Sequence, residues 1–152
     1  MLRKLMQTDE NAGMFIVRLT LGLVMFPHGA QKLLGWFGGG GFAATLKGMT
    51  GMGLPAAVVI LVIAVEFLGS LSLIFGFLGR VSALGFLGLM LGAIFMVHLP
   101  NGFFMNWMGS QKGEGIEYHI LVIGIALAIL VKGSGSLSVD RSMSEKSGYY
   151  LR

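Results

Sequence analysis

A chain of 152 residues with 55% hydrophobic and only 12% charged side chains cannot bury its apolar surface in one soluble core, because a soluble domain is ~25% charged. Its mean hydropathy of +0.80 assigns the excess to lipid. The lack of cysteine excludes disulfides, iron–sulfur clusters and thiolate chemistry, and a net charge of +4 on a membrane chain is no sign of a nucleic-acid partner.

Residues 1–12 are polar, with Leu2, Leu5 and Met6 set against Arg3 and Lys4 as an interfacial stretch. An apolar run follows over about 13–34. It is too long for the core of a signal peptide, carries Arg18 and lacks a small-residue cleavage site, so a retained helix is expected. Further spans are expected over about 54–78, 81–99 and 117–132, since ~20 helical residues cross a ~30 Å hydrocarbon core. Only Gly79-Arg80 separates the second and third, which makes them an antiparallel hairpin. The expected fold class is therefore all-α, an integral membrane four-helix bundle over residues 13–141, with a polar tail at 142–152.

Two longer connections lie on one side of the membrane. Residues 35–53 hold the run "GGGG" and then "FAATLKGM", a short amphipathic helix. Residues 100–116 are rich in aromatics and methionine. Trp36, Phe37, Phe103, Phe104 and Trp107 suit the headgroup level. Arg3, Lys4, Arg80, Lys132, Arg141, Lys146 and Arg152 fall on the other side, against Lys47 and Lys112 in the loops and Lys32 at a span end. The positive-inside rule then places both termini in the cytoplasm.

Gly85, Gly88 and Gly92, and Gly124 with Ala128, supply small residues for close helix packing or a dimer face. Spans one and three share a weak repeat: His28 before Gly35-Trp36-Phe37, and His98 before Gly102-Phe103-Phe104.

The ionisable residues in or near the spans are Arg18, His28, Lys32, Glu66, His98, Glu117 and His119. A charge at the bilayer centre costs ~3 kcal/mol on insertion scales, so each needs a reason. From the helical rise, Glu66 lies ~18 Å and His28 ~22 Å from the cytoplasmic ends of their spans, at similar depth. His28 and Lys32 are four apart and share a helix face. Pro27 removes a helical hydrogen bond, so the helix is expected to bend or open there and turn both groups toward Glu66 and His98. The alternatives are that Lys32 snorkels to the headgroups and that Arg18 does so too or pairs with Glu66. Glu66, among apolar neighbours, must be paired with a cation or protonated. His119 is expected at the interface. The histidine spacing has no compact ligand motif, so neither metal nor haem is expected.

"RLTLGLVMFPHGAQKLLGWFGGGGF", "AVEFLGSLSLIFGFLGR", "VHLPNGFF" and "GIEYHILVIGIALAILVKGSGSLSVDR" together resemble the DoxX family of small bacterial membrane proteins, over roughly residues 14–141. The resemblance implies a four-helix membrane bundle in the bacterial cytoplasmic (inner) membrane. Some members are subunits of a thiosulfate:quinone oxidoreductase; others are linked to membrane oxidoreductase complexes or redox stress. Distant ones act in assembly or trafficking. The family's recurrent polar positions fall on Arg18, His28, Lys32, Glu66, His98 and Glu117, with Ser138 and Asp140 in the tail. Ser70 stands where relatives usually carry glycine.

Two functional expectations follow. In the first, the chain is a quinone-interacting subunit of a membrane oxidoreductase. Glu66, His28 and His98 then form the catalytic set, Lys32, Arg18 and Glu117 bind the cofactor, and a partner supplies electrons. In the second it is a non-catalytic accessory or assembly subunit whose polar residues are structural bridges. A small transporter is disfavoured by the lack of an inverted repeat. The expected partners are the lipid bilayer and other membrane subunits or further copies of the chain.

Overall fold

The computed structural model describes residues 5–149, with side chains through residue 145. Leu2, Arg3 and Lys4 of the interfacial stretch, and the side chains of Lys146 and Arg152, lie outside the described residues. All regular structure among the described residues is helical. The elements are α1 (Ala12–Leu34), α2 (Gly41–Gly51), α3 (Ala56–Phe75), α4 (Gly79–Asn101), α5 (Glu117–Lys132) and α6 (Val139–Tyr149).

Helices α1, α3 and α4, of 23, 20 and 23 residues, are long and apolar enough to cross a membrane. Helix α5 has 16 residues, or ~24 Å at 1.5 Å per residue. Asn11 caps α1 by accepting from Met14 N at 3.0 Å, and Gly35 closes it in the left-handed conformation. The helix runs through Pro27 without interruption. The turn between α3 and α4 is Gly76–Leu78, and Gly79-Arg80 already belongs to α4. The polar C-terminal segment enters helix α6.

The core joins one face of each long helix: Leu21 and Met25 of α1, Leu73 of α3, Phe86 and Met90 of α4, and Val122, Ala126 and Ile129 of α5. Helix α4 packs most extensively on α5, and α1 on the second half of α3. The outer surface is apolar, with Ile16, Leu61, Leu84, Phe95 and Leu121 all exposed. A soluble protein would not show such a surface; a lipid-facing one does. The aromatic loop is also exposed at Phe104 and Trp107. It is closed at its base by Gly115 N to Phe104 O, Ile116 N to Gly102 O and Glu117 N to Phe103 O.

The start of α1, the α3–α4 turn and the end of α5 meet at one end of the bundle. Thr8 Oγ1 donates to Lys132 O at 3.4 Å, and Ser136 N to Asn11 O at 3.1 Å. Arg18 sits there, fully buried. Its guanidinium donates to Ser134 O (2.7 Å), Leu73 O (2.6 Å), Ile74 O (2.8 Å), Ser136 O (3.3 Å) and Leu137 O (2.6 Å). Five donors in a planar fork thus meet five carbonyls, two of them in the last turn of α3. Beside it, Asp140 accepts from Leu78 N (2.7 Å), Gly79 N (3.0 Å) and Ser134 Oγ (2.6 Å), capping the start of α4. Arg80 donates to Leu130 O at 2.9 Å and Val131 O at 3.2 Å, closing α5, and to the carbonyls of Leu5 and Gln7.

Candidate functional site

Two of the long helices contain a single π-helical turn, and each turn carries a residue singled out by the sequence. Glu66 lies in Val65–Gly69 of α3, and His98 closes Ile94–His98 of α4. A π turn inserts one residue, disturbs the hydrogen-bond ladder and re-aims side chains, and such turns concentrate at functional sites. Ser70 Oγ donates to Phe67 O at 2.8 Å, supporting a carbonyl in the α3 turn.

Helix α1 crosses α3 at this turn. A Cβ on Gly29 would stand 2.5 Å from Phe67 N and 2.6 Å from Glu66 C, so the crossing requires glycine. The close approach brings the next turn of α1 over Glu66. Lys32 Nζ lies 2.6 Å from Glu66 Oε2, with the Glu66 side chain 6% exposed and that of Lys32 27%. Glu66 is therefore paired, and its partner is Lys32 rather than Arg18, which is occupied at the other end of the bundle. Lys32 turns inward instead of snorkelling.

Helix α5 completes the cluster. The Tyr118 ring lies 6.4 Å from that of His28, and its hydroxyl donates to Met25 Sδ at 3.1 Å. His119 stacks on His98 with ring centroids 4.1 Å apart and planes tilted by 43°. His98 Nδ1 lies 2.8 Å from Glu114 O. His119 is buried at 6% exposure, and its Nδ1 has no hydrogen-bond partner among the described residues.

These groups border a cavity of ≈ 710 Å³. His28, Lys32, Glu66, Glu114, Tyr118, His98 and His119 line it, and the rest of the wall is largely aliphatic and methionine, including Met25, Met49, Met52, Met90 and Met105. Of the six candidate residues, His28, Lys32, Glu66 and His98 are thus brought together, whereas Arg18 and Glu117 are not among the lining residues. Glu117 Oε2 instead accepts from Met105 N at 3.1 Å and pins the aromatic loop. Tyr118, His119 and Glu114 join the site without having been chosen for it. The adjacent string Glu117-Tyr118-His119 at a span start was the available signal. Among the described residues, no three of His, Cys, Asp and Glu converge as a metal site.

The cluster has ammonium, imidazole and phenol donors beside a carboxylate, inside an apolar wall. It can donate hydrogen bonds to oxygen atoms of a flat, weakly polar molecule and exchange protons through imidazole and carboxylate.

Residues 13–99 match the DoxX family model. The chain belongs to the DoxX family. It is 29% identical over 146 residues to the inner membrane protein YqjF of Escherichia coli (strain K12), a match covering 93% of this chain and 99% of that one. It is also 29% identical over 135 residues to a protein of Bacillus subtilis (strain 168) named "Putative oxidoreductase CatD", covering 89% of this chain and 90% of that one. No solved structure matches the chain at a significant level. This DoxX protein is accordingly a multi-pass protein of the bacterial inner membrane, in contact with the lipid bilayer.

Proposed function

We propose that this DoxX protein is a four-span bundle with both termini in the cytoplasm, whose cavity receives the ring of a quinone as part of a quinone-linked oxidoreductase system. Antiparallel packing of α5 on α4, with Arg80 against Leu130 and His98 against His119, supports a fourth span. The gathering of Arg80, Lys132 and Arg141 at the end opposite the aromatic loops supports the orientation.

One observation carries the site: a cavity of ≈ 710 Å³ with apolar walls that holds the Lys32–Glu66 pair, His28, Tyr118 and the His98–His119 stack. Ligand pockets span ~300–1,000 Å³ and combine apolar lining with a few converging polar groups. The residues present fit a quinone: Lys32 and the imidazoles can donate to ring carbonyl oxygens, and the methionine and aliphatic walls suit its faces. A bound quinone would supply two-electron, two-proton carriage within the membrane. Glu66 and His28 are placed to hold and pass protons at the carbonyl oxygens, and Lys32 opposes negative charge developing there. The electrons come from the redox centre of a partner protein. The name of the B. subtilis relative agrees with this reading.

The closed Lys32–Glu66 pair supports a second reading, an accessory or assembly subunit in which that pair is purely structural. Titration of the purified protein with a short-chain quinone separates the two. Glu66→Gln should weaken binding by about tenfold, because Glu66 accepts from Lys32 and holds its ammonium in place to donate to a quinone oxygen, while the variant still folds. Both readings predict some loss of stability on breaking the pair, so affinity decides: unchanged affinity in a variant that still folds would favour the accessory role.

A further inference from the structure

Helices α3 and α4 pack together along Val65–Phe75 and diverge beyond it, toward the end that carries Lys32 and His98. At the crossing, a Cβ on Gly85 would lie 3.1 Å from Val65 Cγ1. One and two turns further along α4, a Cβ on Gly88 or Gly92 would meet nothing within 4 Å, although both residues line the cavity. Gly88 and Gly92 therefore do not serve helix packing within the bundle. They keep one wall of the opening between the helices flat, opposite Val58, Leu61 and Val62 of α3.

The opening reaches the outer face of the bundle. Leu61 of α3 and Leu84 and Met96 of α4 all line the cavity, yet are 62%, 61% and 61% exposed. On a protein embedded in a bilayer, that face meets hydrocarbon. Lys32, Glu66 and the stacked His98 and His119 also line the cavity. From outside to inside, the cleft passes from apolar walls to imidazole, ammonium and carboxylate. A ring with polar edges that carries a long apolar tail has the same order of polarity.

We propose that the α3–α4 cleft is a lateral entrance from the bilayer, and that Gly88 and Gly92 form the groove in which the ligand's apolar tail lies. The proposal rests on the reading of the head site as a quinone-ring site and adds to it the route of entry and the recognition of the tail.

The test uses the full chain in lipid nanodiscs and two probes: a benzoquinone with a long isoprenoid tail, and the same ring with a methyl group in its place. The wild type should bind both. The double variant Gly88→Leu with Gly92→Leu should lose about tenfold in affinity for the tailed probe and keep the methyl probe, because two leucines would overfill the groove. Gly124, which also has open space around it but lies outside the cavity, provides the control. Gly124→Leu should bind both probes like the wild type. Unchanged affinity of the double variant for the tailed probe overturns the proposal. So does equal loss of both probes in a variant that still folds, or recovery of stoichiometric phospholipid from the wild-type cleft. A wild type that binds only the methyl probe overturns the cleft alone, whereas one that binds neither overturns the quinone reading as well.

Discussion

Gly29 of α1 meets Phe67 of α3 so closely that a Cβ would stand 2.5 Å from the Phe67 nitrogen. This contact fixes where α1 crosses the π turn and hence where Lys32 meets Glu66. Gly29→Ala should push the helices apart, destabilise the protein by about 1–3 kcal/mol, and weaken ligand binding at the same time. Thermal unfolding in detergent combined with a quinone titration checks both effects. A variant of wild-type stability and affinity would show that the crossing is looser than described.

Lys32 and Glu66 form a 2.6 Å ion pair in a mostly apolar wall. Removing one partner leaves a buried charge, so Lys32→Met or Glu66→Gln alone should destabilise by about 3 kcal/mol. Lys32→Met combined with Glu66→Gln should recover much of that stability without recovering quinone affinity. A double-mutant cycle on both readouts separates support of the fold from ligand recognition.

Arg18 satisfies carbonyls from the end of α3 and from the 134–137 segment with one guanidinium. Arg18→Lys keeps the charge and loses the fork, and should destabilise by about 3 kcal/mol or more. Its effect on ligand affinity in protein that still folds should be small, since Arg18 is remote from the cavity wall. Chemical unfolding and ligand titration of the same preparation test that separation.

Asp140 accepts two backbone N–H groups at the start of α4 and the Ser134 hydroxyl. In Asp140→Asn one acceptor oxygen becomes a donor, which conflicts with these partners. A loss of about 1–3 kcal/mol is expected, with amide exchange at Leu78 and Gly79 rising first.

Glu10 accepts from Arg141 at 2.8 Å. That hydrogen bond, together with the guanidinium charge, holds the Glu10 carboxyl below its ordinary value of 4.5. A lowered folded-state pKa means that the pair's support for α6 is fully present above pH ~4.5 and declines as pH falls through the folded value. Both groups are exposed, so the effect is small and local. Amide exchange in Val139–Tyr149 should quicken on acidification in the wild type, with a weaker response in Glu10→Gln. An identical acid response in the two proteins would remove the pair from the docking of α6.

Much of the helical architecture was legible because apolar runs over the later α1, α3 and α4 leave few alternatives to helix. Glu66 stood out because a carboxylate amid "VIAVEFLGSL" cannot reach water. Its choice of Lys32 over Arg18 was not legible. That choice depends on the Gly29 crossing and on carbonyls of residues 134–137, more than a hundred positions beyond Arg18. The π turns at Glu66 and His98 have no local sequence signature. At Pro27, where a bend or opening is expected, α1 stays helical. His119, expected at the interface, packs against His98 because the loop after α4 folds back and is closed by Glu114 and Glu117. The helix Val139–Tyr149 was hidden by polar composition, since its support comes from Asp140 and Arg141 contacts distant in sequence.

The most direct test of the central claim is the molar ratio of quinone to protein after extraction in mild detergent, measured by mass spectrometry for the wild type and for Glu66→Gln. Near-stoichiometric quinone in the wild type and its loss in a folded Glu66→Gln variant are the predicted results. A wild type that retains protein partners but no quinone, or equal quinone in both proteins, would contradict a quinone site at Glu66.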